Sequence, residues 1–201
     1  MDNKAKLITE YAEKIGIDKI GFASAPWEWQ GEKYKEYLNL GYSCGFEEQD
    51  LAKRYNPEYI LPNAQTLISI AMAYPAYQAP INEYEARFCA ASVGMDYHTV
   101  LTEKLELLGA FLLELVPGSH YKTAVDTGLW SDREIAVMCG LGWIGKNSNL
   151  VTEEYGSFVY LGEIIWDVLL ETDEITMHDY CGNCTACVRA CPAHAIDSER
   201  R

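Results

Sequence analysis

The sequence predicts an α+β domain followed by a small cysteine-rich module, on three observations. Apolar residues at helical spacing are interleaved with short apolar runs, without the regular strand–helix–strand repeat of a doubly wound sheet. A hydrophobic content of 49% over 201 residues is enough for one substantial core and a small appendage. Four of the seven cysteines are gathered near the C-terminal end, at Cys181, Cys184, Cys187 and Cys191. The larger domain is expected over residues 1–170 and the module over 171–201.

Leu7, Ile8, Tyr11, Ala12 and Ile15 recur at helical spacing, and Gly16 closes that helix. Residues 20–23 predict a short strand, and 31–40 a helix ending at Gly41. The apolar run 66–73, bounded by Pro62 and Pro75, predicts a buried strand. Asp96 caps a long helix whose core face is Val100, Leu101, Leu105, Leu108, Leu112 and Leu115, stopped by Pro117 and Gly118. Strands are expected over 121–125 and 157–165, a helix over 132–138, and an acidic linker over 167–180.

The formal charge of −14 repels phosphate backbones, and no Lys/Arg cluster offsets it, so tight nucleic-acid binding by this chain alone is disfavoured. No basic, apolar leader opens the chain, and the longest apolar stretch, 67–77, is too short to span a bilayer. An odd, mostly clustered set of cysteines argues for a reducing compartment. A soluble, cytoplasmic protein is expected.

The cysteines spell C-x-x-C-x-x-C-x-x-x-C-P, ending at Pro192. This is the bacterial ferredoxin run that ligates a [4Fe–4S] cluster. Gly182 and Asn183 give the backbone freedom its turns need. A zinc site usually separates its two Cys pairs by a dozen or more residues, which this run does not. In two-cluster ferredoxins the fourth cysteine serves the other cluster. No cysteine follows Cys191, so either one cluster uses all four thiolates or the chain is cut short before a second half-motif, the reading favoured here. Cys44, Cys89 and Cys139 stand singly, and Cys89 reads most simply as a buried small apolar residue.

Gly140, Gly142 and Gly145 fit G-x-G-x-x-G but follow a helix and lead to a strand, the reverse of a dinucleotide site. The string 140–149, with Trp143, Lys146, Asn147 and Asn149, suits either a large flat ligand with amide or phosphate arms or an ordinary turn around a buried tryptophan. Asp126 ends an apolar strand, where a carboxylate serves as a proton donor or as an Asx-turn or helix cap. Arg133 and Arg54 can meet a ligand phosphate or stay with neighbouring charges. Asp96, Tyr97 and His98 read as a cap, a staple and an exposed first-turn residue.

Taken in order, Lys53-Arg54 with Pro57, residues 94–98, Asp126-Thr127 with Arg133, residues 140–150 and residues 181–192 resemble the epoxyqueuosine reductase family. The anchors run from about residue 16 to residue 196; Val93 and Leu129 depart from the family pattern. The resemblance implies a cobalamin-binding domain, related to B12-processing and nitroreductase-like proteins, joined to a ferredoxin-like module. It implies removal of the epoxide oxygen of epoxyqueuosine in tRNA, with electrons reaching cobalt from iron–sulfur clusters and an external donor. By position Asp126 matches the acid that protonates the leaving oxygen. Arg54, Arg133, Lys146 and Asn149 would hold cobalamin's phosphate and amide arms, and Cys89 and Asp126 would lie near the corrinoid. The alternatives are a non-catalytic iron–sulfur electron carrier and a corrinoid-delivery protein.

Overall fold

A computed structural model describes residues 3–25, 31–43, 45–75, 80, 82–84, 86, 88–126, 128–171 and 178–197, without the side chains of 31–33. Cys44, Thr127 and residues 172–177 of the expected linker lie outside the described residues. The structure is a mixed helix–sheet fold, with helices α1 (Asn3–Lys14), α2 (Gly31–Asn39), α3 (Leu51–Tyr55), α4 (Tyr97–Leu115), α5 (Asp132–Met138) and α6 (Ala186–Ala190). Its strands are β1 (Lys19–Ser24), β2 (Thr66–Ala73), β3 (Tyr121–Ala124), β4 (Trp143–Ile144), β5 (Leu150–Val151) and β6 (Val159–Trp166).

One sheet, in the order β1-β2-β6-β3 with every pair antiparallel, carries the domain. Antiparallel sheets commonly leave one face to water, which makes their strands alternate. Here both faces are covered. Ile68, Ile70, Ile164 and Trp166 point to α1 and α4, where they meet Ile8, Leu101, Leu105, Leu108 and Leu112. Leu67, Ala71 and Ile165 point to the opposite side, against Ile135, Ala136 and Cys139 of the α5 region. Two-sided burial explains why β2 reads as an unbroken apolar run.

Asp96 caps α4 as expected, its side chain accepting from the His98 backbone N–H at 2.9 Å. Gly16 follows α1 with φ +82°, the left-handed exit that glycine makes without strain. The α5 C-terminus presses on β1: a Cβ built on Gly21 would lie 1.9 Å from the Cys139 carbonyl oxygen. Only glycine lets strand and helix end approach so closely, and this contact sets where α5 points its N-terminal end.

The glycine string behaves as its context predicts. Gly140, with φ +76°, terminates α5, and the chain then turns into the two-residue hairpin of β4 and β5 rather than opening a helix. The sequence reading missed α3, which Asp50 caps through the Ala52 and Lys53 N–H groups, because its five residues are too few to show a period. No helix among the described residues is long and apolar enough to cross a membrane.

Candidate active-site cleft

The N-terminal end of α5, Asp126, Gly128, Trp130 and Ser131 ahead of it, Arg54 and the β6 residues Val159 and Leu161 surround a cleft of about 900 Å³. That volume is at the upper end for small-molecule sites. Tyr34, Tyr37, Tyr97, Trp130 and Tyr160 supply broad aromatic walls, while Asp126, Asp132, Arg133 and Asn149 supply polar groups.

Asp126 sits just past β3, exposed, with φ 54°. A non-glycine residue in the left-handed region is uncommon, and such residues cluster where a fixed side-chain direction is functional. The Tyr97 hydroxyl donates to Asp126 Oδ2 at 2.6 Å, and His98 Nε2 lies 3.8 Å from the same oxygen. Tyr97 is held by stacking on His98 and on Tyr160, with ring centroids at 4.1 Å and 4.6 Å. Burial, then the bond to Asp126, pushes the Tyr97 phenol well above its ordinary pKa, so it remains a donor at all working pH values. Tyr97 and His98 therefore belong to the surroundings of the Asp126 carboxyl rather than serving as a staple and an exposed residue. The relation of Tyr97 to Asp126 spans 29 positions, and no local pattern encodes it.

Asp132, one turn of chain away, has its carboxyl pushed up to about 6, first by burial and then by the Asp126 charge, against the pull of Arg133. Arg133 donates to the Ser148 carbonyl oxygen, which brings the start of α5 against the β4–β5 turn that carries Asn149. Arg54 stacks its guanidinium 4.3 Å over the Tyr34 ring and donates to the Leu129 carbonyl at 3.4 Å, yet its buried Nε has no partner. An orphaned guanidinium nitrogen at a large, aromatic-walled cleft fits a ligand with anionic or amide arms, and the residues present fit a corrinoid on that ground.

Two expected cofactor residues lie elsewhere. Lys146 does not line the cleft; its buried amine donates to the carbonyl oxygens of Gly182 and Cys184 at 2.7 and 2.9 Å. The reason is the tight hairpin: a Cβ on Gly142 would sit 2.2 Å from the Val151 carbonyl, so the turn is pinned and its lysine reaches the cysteine segment instead. Trp143 reinforces that contact, edge-on to Tyr180 at 5.0 Å. Cys89 is exposed, not a buried apolar residue. It adjoins the wall residues Tyr74 and Tyr160, and hydrogen bonding with Ser92 lowers its thiol pKa.

Cys181, Cys184, Cys187 and Cys191 are free thiols spread over a turn and α6. Among the described residues no three or more His, Cys, Asp or Glu side chains converge into a metal-binding group. The donor chemistry nevertheless suits iron–sulfur ligation: four unpaired soft sulfurs, with Cys191 Sγ accepting the Ala195 N–H at 3.4 Å and its pKa lowered by backbone N–H groups.

Residues 54–127 match a sequence model described as Epoxyqueuosine reductase QueG, DUF1730. Epoxyqueuosine reductases of Bacillus cereus and Listeria monocytogenes are 45% and 46% identical over 195 and 202 residues, covering 94% and 98% of this chain. The chain belongs to the epoxyqueuosine reductase family. It spans about half the length of these relatives, 51% and 53%. Among solved members, an epoxyqueuosine reductase with an epoxyqueuosine-modified tRNA-Tyr stem loop superposes with TM-score 0.87 at 43% identity, over 96% of this chain and 52% of that one. The Bacillus subtilis enzyme, solved with its catalytic aspartate loop swung out of the active site, gives 0.86 at 41% identity over 96% and 52%. A B12-dependent reductive dehalogenase shares the fold alone, with TM-score 0.57 at 11% identity over 88% of this chain and 21% of that one.

Proposed function

We propose that this chain carries the catalytic centre of a cobalamin- and iron–sulfur-dependent epoxyqueuosine reductase, with the acid on residues 1–170 and the electron entry on 171–201. The observation that supports it most is Asp126: a carboxyl held in a left-handed turn at the mouth of a 900 Å³ cleft, with a tyrosine hydroxyl fixing one oxygen. A bare electron carrier needs neither the cleft nor the acid.

In this reading Arg54, Arg133 and Asn149 hold the arms of cobalamin, and Cys181, Cys184, Cys187 and Cys191 hold a [4Fe–4S] cluster. When bound, the corrinoid supplies low-potential electrons delivered one at a time from an external donor through the cluster. Asp126 gives its proton to the epoxide oxygen as the carbon–oxygen bond breaks. Tyr97 keeps the carboxyl facing the cleft, and Trp130 with Val159 and Leu161 supplies an apolar part of the cleft wall. Lys146 locks the cysteine segment against the hairpin beside the cleft, which fixes the distance electrons travel.

The substrate in this reading is the epoxyqueuosine nucleoside of a tRNA anticodon stem loop, met in the cytoplasm, since a relative at 43% identity was solved with such a stem loop. The charge of −14 means that the overall field does not attract RNA, so capture rests on local groups such as Arg133 and on the epoxide itself. The test is anaerobic reconstitution with iron, sulfide and cobalamin, addition of a low-potential reductant and an epoxyqueuosine stem loop, and mass analysis of the product. Loss of one oxygen is expected, and Asp126→Asn should slow it roughly 100-fold or more. Unchanged substrate with the reconstituted wild-type protein contradicts the reading.

A further inference from the structure

The β4–β5 hairpin brings two polar groups to the cysteine segment whose demands the packing alone does not meet. The first is Lys146, only 7% exposed. Its Nζ donates to two neutral acceptors, the carbonyl oxygens of Gly182 and Cys184 at 2.7 and 2.9 Å. Among the described residues no carboxylate pairs with it. A cation taken out of water is costly unless an anion balances it. The second is Trp143, whose ring lies edge-on to Tyr180 with centroids 5.0 Å apart. Its Nε1 is buried and has no hydrogen-bond partner among the described residues. Buried N–H groups are seldom left unpaired, so this one needs an acceptor that the described residues do not supply. An uncompensated cation and an orphaned donor thus meet the same stretch, residues 180–184, where the cysteine run begins.

Both groups are held by the hairpin rather than by the segment they meet. The Gly145 N–H donates to the Asn149 carbonyl and the Ser148 N–H to the Gly145 carbonyl, each at 2.9 Å, which closes the turn between the strands. Arg133 of α5 fastens that turn from outside through the Ser148 carbonyl. A donor fixed in this way is already in place for its partner and needs no rearrangement to meet it.

The partner such a pair calls for is anionic and accepts hydrogen bonds through sulfur. A cluster held by the cysteines, as in the proposed function on which this inference rests, has both properties. Four thiolates outweigh the positive charge of the iron–sulfur core, and reduction adds one more negative charge. A nearby cation or N–H donor therefore stabilises the reduced cluster more than the oxidised one.

We propose that Lys146 and Trp143 set the reduction potential of the cluster, raising it so that the cluster takes an electron readily from the external donor. The step is a one-electron transfer: the donor loses one electron, the cluster gains it, and no bond to the protein forms or breaks. Both are positioning residues for electron entry, since neither touches substrate.

The test is a redox titration, followed by electron paramagnetic resonance, of the chain reconstituted anaerobically with iron and sulfide alone. Lys146→Met keeps the stem and removes the charge; it should lower the midpoint by about 59 mV or more, a tenfold change in the one-electron equilibrium. Lys146→Arg keeps the charge and should stay near the wild-type midpoint. Trp143→Phe keeps an aromatic ring against Tyr180 and removes the donor; it should shift the same equilibrium roughly threefold in the same direction. A merely structural clamp would change cluster yield or the proteolysis of the segment and leave the midpoint where it was, and that result overturns the proposal. A Lys146→Arg midpoint as low as that of Lys146→Met overturns it too, since charge would then not be the cause. Where Lys146→Met assembles no cluster, Trp143→Phe decides, and an unchanged midpoint there overturns the proposal. The two ideas fail differently: a wild-type chain that takes up no cluster overturns the proposed function together with this inference, whereas a loaded chain whose midpoint ignores the hairpin overturns this inference alone.

Discussion

At the scale of single residues, the cleft is organised by carboxyls with different surroundings. Asp126 is exposed and directed by Tyr97, whereas Asp132 is half-buried and shifted upward. Replacing Tyr97 by Phe removes the 2.6 Å bond while preserving the stack on Tyr160, and should lower turnover about tenfold with little loss of stability. Asp132 makes a stability prediction whose sign is fixed. Its folded pKa of about 6 lies above the ordinary 3.8, so folding favours the protonated form. That stabilisation is complete below about pH 4 and lost as pH rises through 6. Asp132→Asn should therefore flatten the fall in melting temperature between acid and alkaline pH, and exceed wild type by about 1–2 kcal/mol on the alkaline side. Thermal melts across pH read this directly. Asp126 and Arg133 are recognisable from sequence as a strand-end carboxyl and a nearby cation, but Tyr97 and Asp132 are not. Nothing in a local pattern distinguishes a first-turn tyrosine from one that crosses to another loop.

At the scale of elements, segments that bury a face declared themselves, while the five-residue α3 and the two-residue β4 and β5 did not. The leucine stripe of α4 and the apolar run of β2 are spelled out because each must bury a whole face. The β4–β5 hairpin, two residues per strand, is defined by backbone proximity instead, and its glycines suggested ligand contact when their first duty is close packing. Gly21→Ala would drive a methyl into the Cys139 carbonyl and should cost about 2–3 kcal/mol by denaturant unfolding, displacing α5 and with it Asp132 and Arg133. Lys146→Met keeps the stem of the side chain but removes the donor to Gly182 and Cys184. The expected result is faster proteolytic cleavage within residues 178–197, with the melting temperature of the larger lobe little changed.

At the scale of the whole molecule, an acid-bearing cleft lies beside a docked cysteine segment. Both ends of this arrangement were legible in the sequence, since the cysteine spacing and the glycine–tryptophan string are local words; their contact through Lys146 and Trp143 was not, because it depends on how the hairpin folds. The proposed function stands on a corrinoid being held in the cleft that Arg54, Arg133 and Asp126 line. Its most direct test is an anaerobic titration of cobalamin into the protein, followed by absorption and tryptophan fluorescence. The account predicts saturable binding of one corrinoid per chain, weakened at least about tenfold by Arg54→Ala. A protein that leaves the corrinoid spectrum and its own fluorescence unchanged, or one whose binding ignores Arg54, contradicts it.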